Sequence, residues 1–256
     1  MRRLVVTVGL AAALLMLWVA PATAIFFGEA DGTDHPNVGA VLAPEAFSDG
    51  TWAECSGTLI APTVFLTAAH CDEGLERVAV TFDSAYNSET GTTHWGTWHN
   101  HPGYRPAQSD PHDLAVIVFD EAIDGITPAP LPAAGSLEDL PRYTKFTAVG
   151  YGAQFTTHGA GGVVFHFTDI RYQAVSSLTT SSRTWLRLSM NPALGNGGTC
   201  GGDSGGPNFL GAGSDETPIL AATTITGDAA CRSTSVVYRL DTASARDFLD
   251  DFVSLP

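Results

Sequence analysis

Lysine, glycosylation sequons and metal-binding cysteine pairs are scarce or absent in this 256-residue sequence. Lys145 is the single lysine, and twelve basic residues face twenty-seven acidic ones, for a formal net charge of −15. So acidic a chain repels phosphates, and we expect neither nucleic acid nor anionic lipid as a partner. No Asn-x-Ser/Thr sequon occurs, so N-glycosylation has no acceptor. No Cys-x-x-Cys or similar His/Cys spacing occurs, so we expect no metal and no cofactor.

Long apolar runs are confined to the start of the chain. Arg2 and Arg3 precede an apolar or neutral stretch, residues 4–20, and the small-x-small sequence Ala-Thr-Ala ends at Ala24. This pattern predicts a signal peptide over residues 1–24 and a secreted protein that leaves the membrane on cleavage. The alternative is an uncleaved membrane anchor, but the run is shorter than the ~20 residues of a spanning helix.

Cysteine is also sparse, with four residues in the whole chain. In an exported protein, four cysteines favour two disulfides over a metal site. Four cysteines can form two disulfides in three ways, and composition does not choose among them.

Short stretches rich in β-branched and aromatic residues recur after residue 25, separated by Gly, Pro, Asn and Asp. They are CSGTLI, VFLTAA, RVAVTF, DLAVIVF, KFTAVGYG, VVFHFTDIRY, TWLRLSM, PILAATTI and SVVYRL. A link rich in Pro, Ala and Gly at 126–141 divides them into two groups. The pattern predicts two all-β domains, each a barrel or sandwich, packed side by side.

The end of the chain differs from the rest. Residues 242–255 carry a stripe of Phe248, Leu249, Phe252 and Val253, which predicts one amphipathic helix. Either Asp241 or Thr242 can cap its N-terminus.

Three short segments supply the groups needed for nucleophilic catalysis. They are LTAAHC with His70, HDLAVI with Asp113, and CGGDSGGP with Ser204. A serine hydroxyl needs a base within hydrogen-bond reach, and that base needs a third group to fix its tautomer. Glycines around Ser204 let the backbone turn sharply and aim N–H groups at an oxyanion.

Together these segments resemble the trypsin/chymotrypsin family of serine proteases, in its secreted bacterial type. The resemblance extends over residues 25–256 and includes AAHC, HPGY (101–104), DLAVI, GYG (150–152), GDSGGP and VYRL (237–240). It implies two six-stranded antiparallel barrels, residues 25–132 and 133–256, with a C-terminal helix and a cleft between the barrels.

The resemblance also implies catalytic roles. His70 would act as general base and then acid, Asp113 would orient it, and Ser204 would be the nucleophile. The backbone N–H groups of Gly202 and Ser204 would form the oxyanion hole. Of the three cysteine pairings, the resemblance selects Cys55–Cys71, beside His70, and Cys200–Cys231, beside the nucleophile loop.

The substrate pocket follows from alignment to the same family. Gly198 falls at the position of the pocket floor, where trypsin-like enzymes carry Asp. A cationic substrate side chain would be buried there without a partner, which is costly. Gly227 falls on one wall, and Val236 falls where open pockets have Gly. These residues predict a preference for small or medium apolar P1 side chains.

The residue after the predicted cleavage site has a role of its own in this family. Active members begin with Ile or Val, whose new amino group pairs with the acid before the nucleophile. Ile25 and Asp203 hold these positions, so export itself would activate the enzyme; in the alternative, Ile25 simply begins an edge strand. Phe26 and Phe27 depart from the family's small residues at these positions.

The expected activity is therefore a serine endopeptidase acting on protein or peptide substrates through an acyl-enzyme. We expect a monomer, and the resemblance allows a protein inhibitor as a second partner. Two alternatives stay open. One is an inactive homologue that serves as a binding module, and the other is an esterase with the same triad.

Overall fold

The computed structural model describes residues 25, 27–159 and 161–256. The predicted signal peptide, residues 1–24, lies outside them. None of the helices in the described part of the chain is both long and apolar enough to cross a bilayer.

Six consecutive antiparallel strands close the first barrel. After the two-residue strand β1 (Glu29–Ala30), they are β2 (Val38–Leu42), β3 (Ala53–Ala61), β4 (Val64–Thr67), β5 (Arg77–Thr81), β6 (His94–Asn100) and β7 (Ala115–Phe119). The ring order is β2–β3–β4–β7–β6–β5, and β5 pairs with β2. Phe65, Val80 and Ile117 are fully buried in its core, as the β-branched and aromatic runs predict.

The second barrel closes in the same way. Its half of the chain contains β8 (Lys145–Gly150), β9 (Phe155–Gly159), β10 (Gly162–His166), β11 (Tyr172–Ser181), β12 (Trp185–Ser189), β13 (Pro207–Leu210), β14 (Leu220–Gly227) and β15 (Thr234–Arg239). Strands β8, β11, β12, β15, β14 and β13 form the ring, and β9 and β10 form a separate hairpin. The prediction of two six-stranded antiparallel barrels is confirmed. The domain boundary after residue 132 falls between β7 and β8 and stays a prediction.

Strand β1 belongs with the second barrel, because it pairs with β11. Asp31, just after it, is buried and accepts a hydrogen bond from Arg171 Nε at 2.7 Å. His35 lies between Asp31 and Glu216, and its Nε2 is 2.7 Å from Glu216 Oε1. These two carboxylates raise the pKa of His35 to about 9, although burial opposes the shift. The N-terminal segment is thus tied to the second barrel by charged groups.

An apolar cluster shared by the two barrels joins them. It combines Leu66 of β4 with Val149, Phe209 and Tyr238 of the second barrel. Burying this shared face holds the barrels at a defined separation, which sets the cleft between them.

The C-terminal helix is present but shorter than its apolar stripe. Helix α1 spans Ala243–Leu249, and Thr242 is its N-cap, accepting from Ala245 N at 3.2 Å. Phe252 and Val253 follow in a turn and still pack on the shared apolar cluster. Asp250 and Asp251 explain the early end, because acidic residues are unfavourable at the negative end of a helix dipole.

One predicted strand is divided. The stretch VVFHFTDIRY lies partly in β10, which ends at His166, and partly in β11, which begins at Tyr172. Between them, Asp169 takes a φ of +54° and its carboxylate accepts from Trp52 N and Ala53 N. A contact with the first barrel therefore overrides the local preference for a strand.

Candidate active site

His70 lies in a single tight turn that follows β4. The turn spans Ala69–Cys71, and both of these residues are buried while the His70 side chain is 31% exposed. A disulfide between Cys55 and Cys71 ties the turn to β3. The imidazole is therefore presented to solvent from an anchored backbone.

Asp113 lies two residues before β7 and contacts His70 at two points. Its Oδ2 lies 2.7 Å from His70 Nδ1, and its Oδ1 accepts from the His70 backbone N–H at 2.9 Å. Asp113 is buried, so water does not compete for these contacts. The neighbouring His112 has a φ of +50°, and its Nδ1 is 2.6 Å from Ser244 Oγ. A carboxylate at Nδ1 leaves Nε2 as the nitrogen available to a reacting group.

Ser204 sits in a loop that begins at Cys200 and leads into β13. A second disulfide joins Cys200 to Cys231, in the turn between β14 and β15. Gly205 has a φ of +79°, and a Cβ there would lie 2.1 Å from Thr67 Oγ1 and 2.4 Å from Ser56 O. Only glycine fits this position, where the loop that carries Ser204 contacts the first barrel.

Asp203 is fully buried and directly precedes Ser204. Its carboxylate accepts hydrogen bonds from Gly152 N and Cys200 N, both at 2.8 Å. Among the described residues, no cationic side chain pairs with it. Burial raises the pKa of Asp203 to about 7, and the two backbone donors offset this only in part.

Two residues of the candidate triad, His70 and Ser204, line one cavity. His70, Ser204 and Gly201 face a space of about 390 Å³ between the barrels. No hydrogen bond between His70 Nε2 and Ser204 Oγ is present among the described residues. Such bonds are often loose before substrate binds and tighten in the reacting complex.

The predicted pocket residues are only partly brought together. Gly227 lines the cavity, whereas Gly198 and Val236 lie outside its lining in the described chain. A Cβ on Gly198 would be 2.4 Å from Met190 Cγ, so the buried Met190 side chain fills the space beside it. The pocket assignment stays a prediction.

The cavity wall also includes residues that the sequence did not single out, among them Phe165 and Asp228. Phe165 of the β9–β10 hairpin reaches the cavity that holds His70 and Ser204. Asp228 also lines it, but its carboxylate accepts from the backbone N–H groups of Arg232, Ser233 and Thr234 at 2.7–3.1 Å. These donors lower the pKa of Asp228 although partial burial opposes them. The sequence offers no local motif that would have identified either residue.

Ile25 is fully buried, with a φ of +38°. In the uncleaved sequence Ala24 precedes Ile25, so the Ile25 nitrogen belongs to a peptide bond and carries no charge. The described residues include no contact between Ile25 and Asp203, and their pairing stays a prediction.

One group of three potential metal ligands occurs among the described residues: Cys55, His70 and Cys71. The two sulfur atoms are bonded to each other, so neither is a thiolate that could bind a metal.

Comparison with known proteins gives consistent matches. A family model described as Trypsin matches residues 35–245. A trypsin from Phaedon cochleariae is 30% identical over 177 residues, covering 61% of this chain and 64% of the relative. Chymotrypsin-C from Bos taurus is 33% identical over 174 residues, covering 62% and 63%. Serine protease 1 from Drosophila melanogaster is 28% identical over 194 residues, covering 72% and 69%. The chain thus spans slightly less than two thirds of the first two relatives.

Proposed function

The chain belongs to the trypsin family, and from that premise we propose that it is a secreted serine endopeptidase. The observation that carries the proposal is the two-point contact between Asp113 and His70, beside a cavity that Ser204 also lines. A base with a fixed tautomer next to a serine is the arrangement that nucleophilic acyl transfer requires.

In the proposed reaction, Ser204 Oγ attacks the scissile carbonyl carbon while His70 Nε2 takes its proton. His70 then returns this proton to the leaving amine as the C–N bond breaks, which leaves an acyl-enzyme. Water, deprotonated by His70, attacks the ester carbonyl; His70 then returns this proton to Ser204 Oγ as the C–O bond breaks and the carboxylic acid product leaves. Asp113 stabilises the imidazolium in both steps without itself accepting the proton.

The Gly202 and Ser204 N–H groups are the proposed oxyanion donors. Among the described residues neither donates a hydrogen bond, so both are available to a ligand. Donors preset toward a developing negative charge stabilise the transition state more than the ground state.

We extend the proposal to small or medium apolar P1 residues. The cavity wall includes Ile225, Thr224 and Ala229. The position predicted for the pocket floor is Gly198, which carries no carboxylate. An Arg or Lys side chain buried there would lack a counter-charge.

We also propose that signal-peptide removal activates the enzyme. Cleavage after Ala24 would create an ammonium on Ile25, and Asp203 is a buried carboxylate in need of a cation. An ion pair between them would stabilise the charged form of Asp203 and hold the loop that carries Ser204. N-terminal sequencing of the secreted protein should then identify Ile25 as its first residue.

The test combines active-site labelling with substrate profiling of the mature chain, residues 25–256. An organofluorophosphate should label the wild type at Ser204 and leave Ser204→Ala unlabelled, while both variants unfold at the same denaturant concentration. A folded wild type that is neither labelled nor active would support the binding-module alternative instead.

A peptide library identifies the substrate class in the same preparation. We expect cleavage after small or medium apolar residues. Dominant cleavage after Arg or Lys would refute the P1 proposal, and hydrolysis of esters without any peptide cleavage would favour the esterase.

A further inference from the structure

We infer that Ser56 is a positioning residue that holds the oxyanion donors in place from the opposite barrel. The inference rests on the proposed function. Ser56 lies on β3 of the first barrel and is fully buried, so it does not reach substrate.

Every polar group of Ser56 is used. Its Oγ donates to Gly202 O at 3.0 Å and accepts from Tyr151 N at 2.9 Å. Its backbone N–H donates to Ser204 O at 2.8 Å, and its carbonyl accepts from Thr67 Oγ1 at 2.8 Å. Ser56 therefore donates hydrogen bonds to two carbonyls of the Ser204 loop, one on each side of Asp203.

These two carbonyls belong to the residues whose N–H groups are the proposed oxyanion donors. Gly201 and Gly202 have no side chains to restrict their dihedral angles, and Gly202 has a φ of +90°. Hydrogen bonds must therefore set the orientation of its peptide planes. The Gly202 N–H shares a plane with the Gly201 carbonyl, which accepts from Ala153 N at 2.7 Å, and Ser56 Oγ holds the next plane along. The Ser56 hydroxyl is the one side chain in the described chain that hydrogen-bonds the Gly202 carbonyl.

Two glycines, Gly150 and Gly206, leave room for the Ser56 side chain. A Cβ on Gly150 would lie 2.8 Å from Ser56 Oγ, and a Cβ on Gly206 would lie 3.1 Å from Ser56 Cβ. Both neighbouring glycines are therefore needed for the close approach. Removing the hydroxyl would leave the partly buried Gly202 carbonyl and the buried Tyr151 N–H without this partner, and the loop would relax to find others.

The same strand provides a matched control. Thr58 lies two residues along β3 and is equally buried, but its Oγ1 has no hydrogen-bond partner among the described residues. Thr58→Val removes a buried hydroxyl without breaking a hydrogen bond, whereas Ser56→Ala breaks two.

The experiment compares the mature wild type, Ser56→Ala and Thr58→Val. For each we would measure kcat and KM on a peptide amide and the affinity for a peptidyl trifluoromethyl ketone, whose adduct places an oxyanion at the donors. An organofluorophosphate titration gives the concentration of reactive sites, so that kcat refers to folded enzyme. Denaturant unfolding reports stability separately.

Ser56→Ala should lower kcat by about 10-fold or more, with KM within about twofold of wild type. Affinity for the ketone should fall by a similar factor, because the same donors bind it. Thr58→Val should leave all three values unchanged.

A Ser56→Ala enzyme that is less stable but keeps the wild-type kcat and ketone affinity would overturn the inference. So would a variant with no folded fraction, because Ser56 would then serve folding alone. A wild type that is neither labelled nor active refutes the proposed function itself, before any variant is compared.

Discussion

Asp113 and Asp203 are two buried carboxylates beside one cleft, and they differ in how they are satisfied. Asp113 has an imidazole and a backbone N–H of the same residue, His70, within its own barrel. Asp203 has two backbone N–H groups and no cationic partner in the described chain. The first barrel therefore contains both members of the proposed acid–base pair, whereas the Ser204 loop of the second barrel depends on contacts from other segments.

The largest effect should come from breaking the complete pair. Asp113→Asn keeps the side-chain shape but favours the wrong His70 tautomer, so kcat on a peptide amide should fall by about 10⁴-fold. Steady-state kinetics measure the loss, and an unchanged unfolding midpoint would show that the fold is intact. A loss below about 10-fold would remove Asp113 from its proposed role.

A smaller loss should follow from blocking the predicted partner of Asp203. A chain that retains Ala24 places its ammonium one residue away from the position that Ile25 would hold. With the nucleophile loop less well held, kcat/KM should fall by about 100-fold, the scale of one lost oxyanion donor. Equal activity of the 24–256 and 25–256 chains would refute activation by export.

The same two chains should differ in their pH dependence of stability. Because burial raises the pKa of an unpaired Asp203 to about 7, the 24–256 chain loses stability as the pH rises from about 4 to 7. An ammonium on Ile25 would lower that pKa and prevent the loss. The free energies of unfolding should therefore be closest at or below about pH 4 and differ by on the order of 2 kcal/mol at pH 7. Asp203→Asn in both chains should abolish the difference, as denaturant titrations would show.

A loss of stability of similar size is expected when His35, in the segment that follows Ile25, is deprotonated. His35 has its pKa raised to about 9, so its contribution to stability is complete below about pH 6.5 and is lost as the pH rises through 9. Over that window the wild type should lose up to about 2 kcal/mol, and His35→Gln should lose less. His158→Gln, an exposed change on β9, is the matched control. A wild-type stability that is flat between pH 6.5 and 9 would contradict this prediction.

Local pattern predicted the regular parts of the molecule well. Runs of β-branched and aromatic residues marked most of the barrel strands, because burying alternate side chains in a closed sheet demands them. The stretch 167–171 could not be predicted in this way. Asp169 is pulled out of a strand-like sequence by two backbone N–H groups of the first barrel.

Residues of the candidate site likewise differ in whether a local motif could identify them. His70, Asp113 and Ser204 were recognisable because each sits in a short motif with its own chemical reason. Phe165 and Met190 were not, because their importance depends on which segments the fold places next to them. The glycines of GYG form a recognisable motif, but the need for glycine there follows from a neighbour that only the fold brings close. A Cβ on Gly150 or Gly152 would lie 2.3 or 2.5 Å from the Asp203 carboxyl group.

The sequence by itself determined the two-barrel class, the resemblance to the trypsin family and the identity of the three candidate catalytic side chains. Only the tertiary structure decided how the Ser204 loop is held. The Ser56 hydroxyl and the Gly202 carbonyl are separated by 146 residues along the chain but by 3.0 Å in space. Hydrogen bonds act over such short distances that a contact between remote segments leaves no local pattern, so the fold had to be known before the contact could be found.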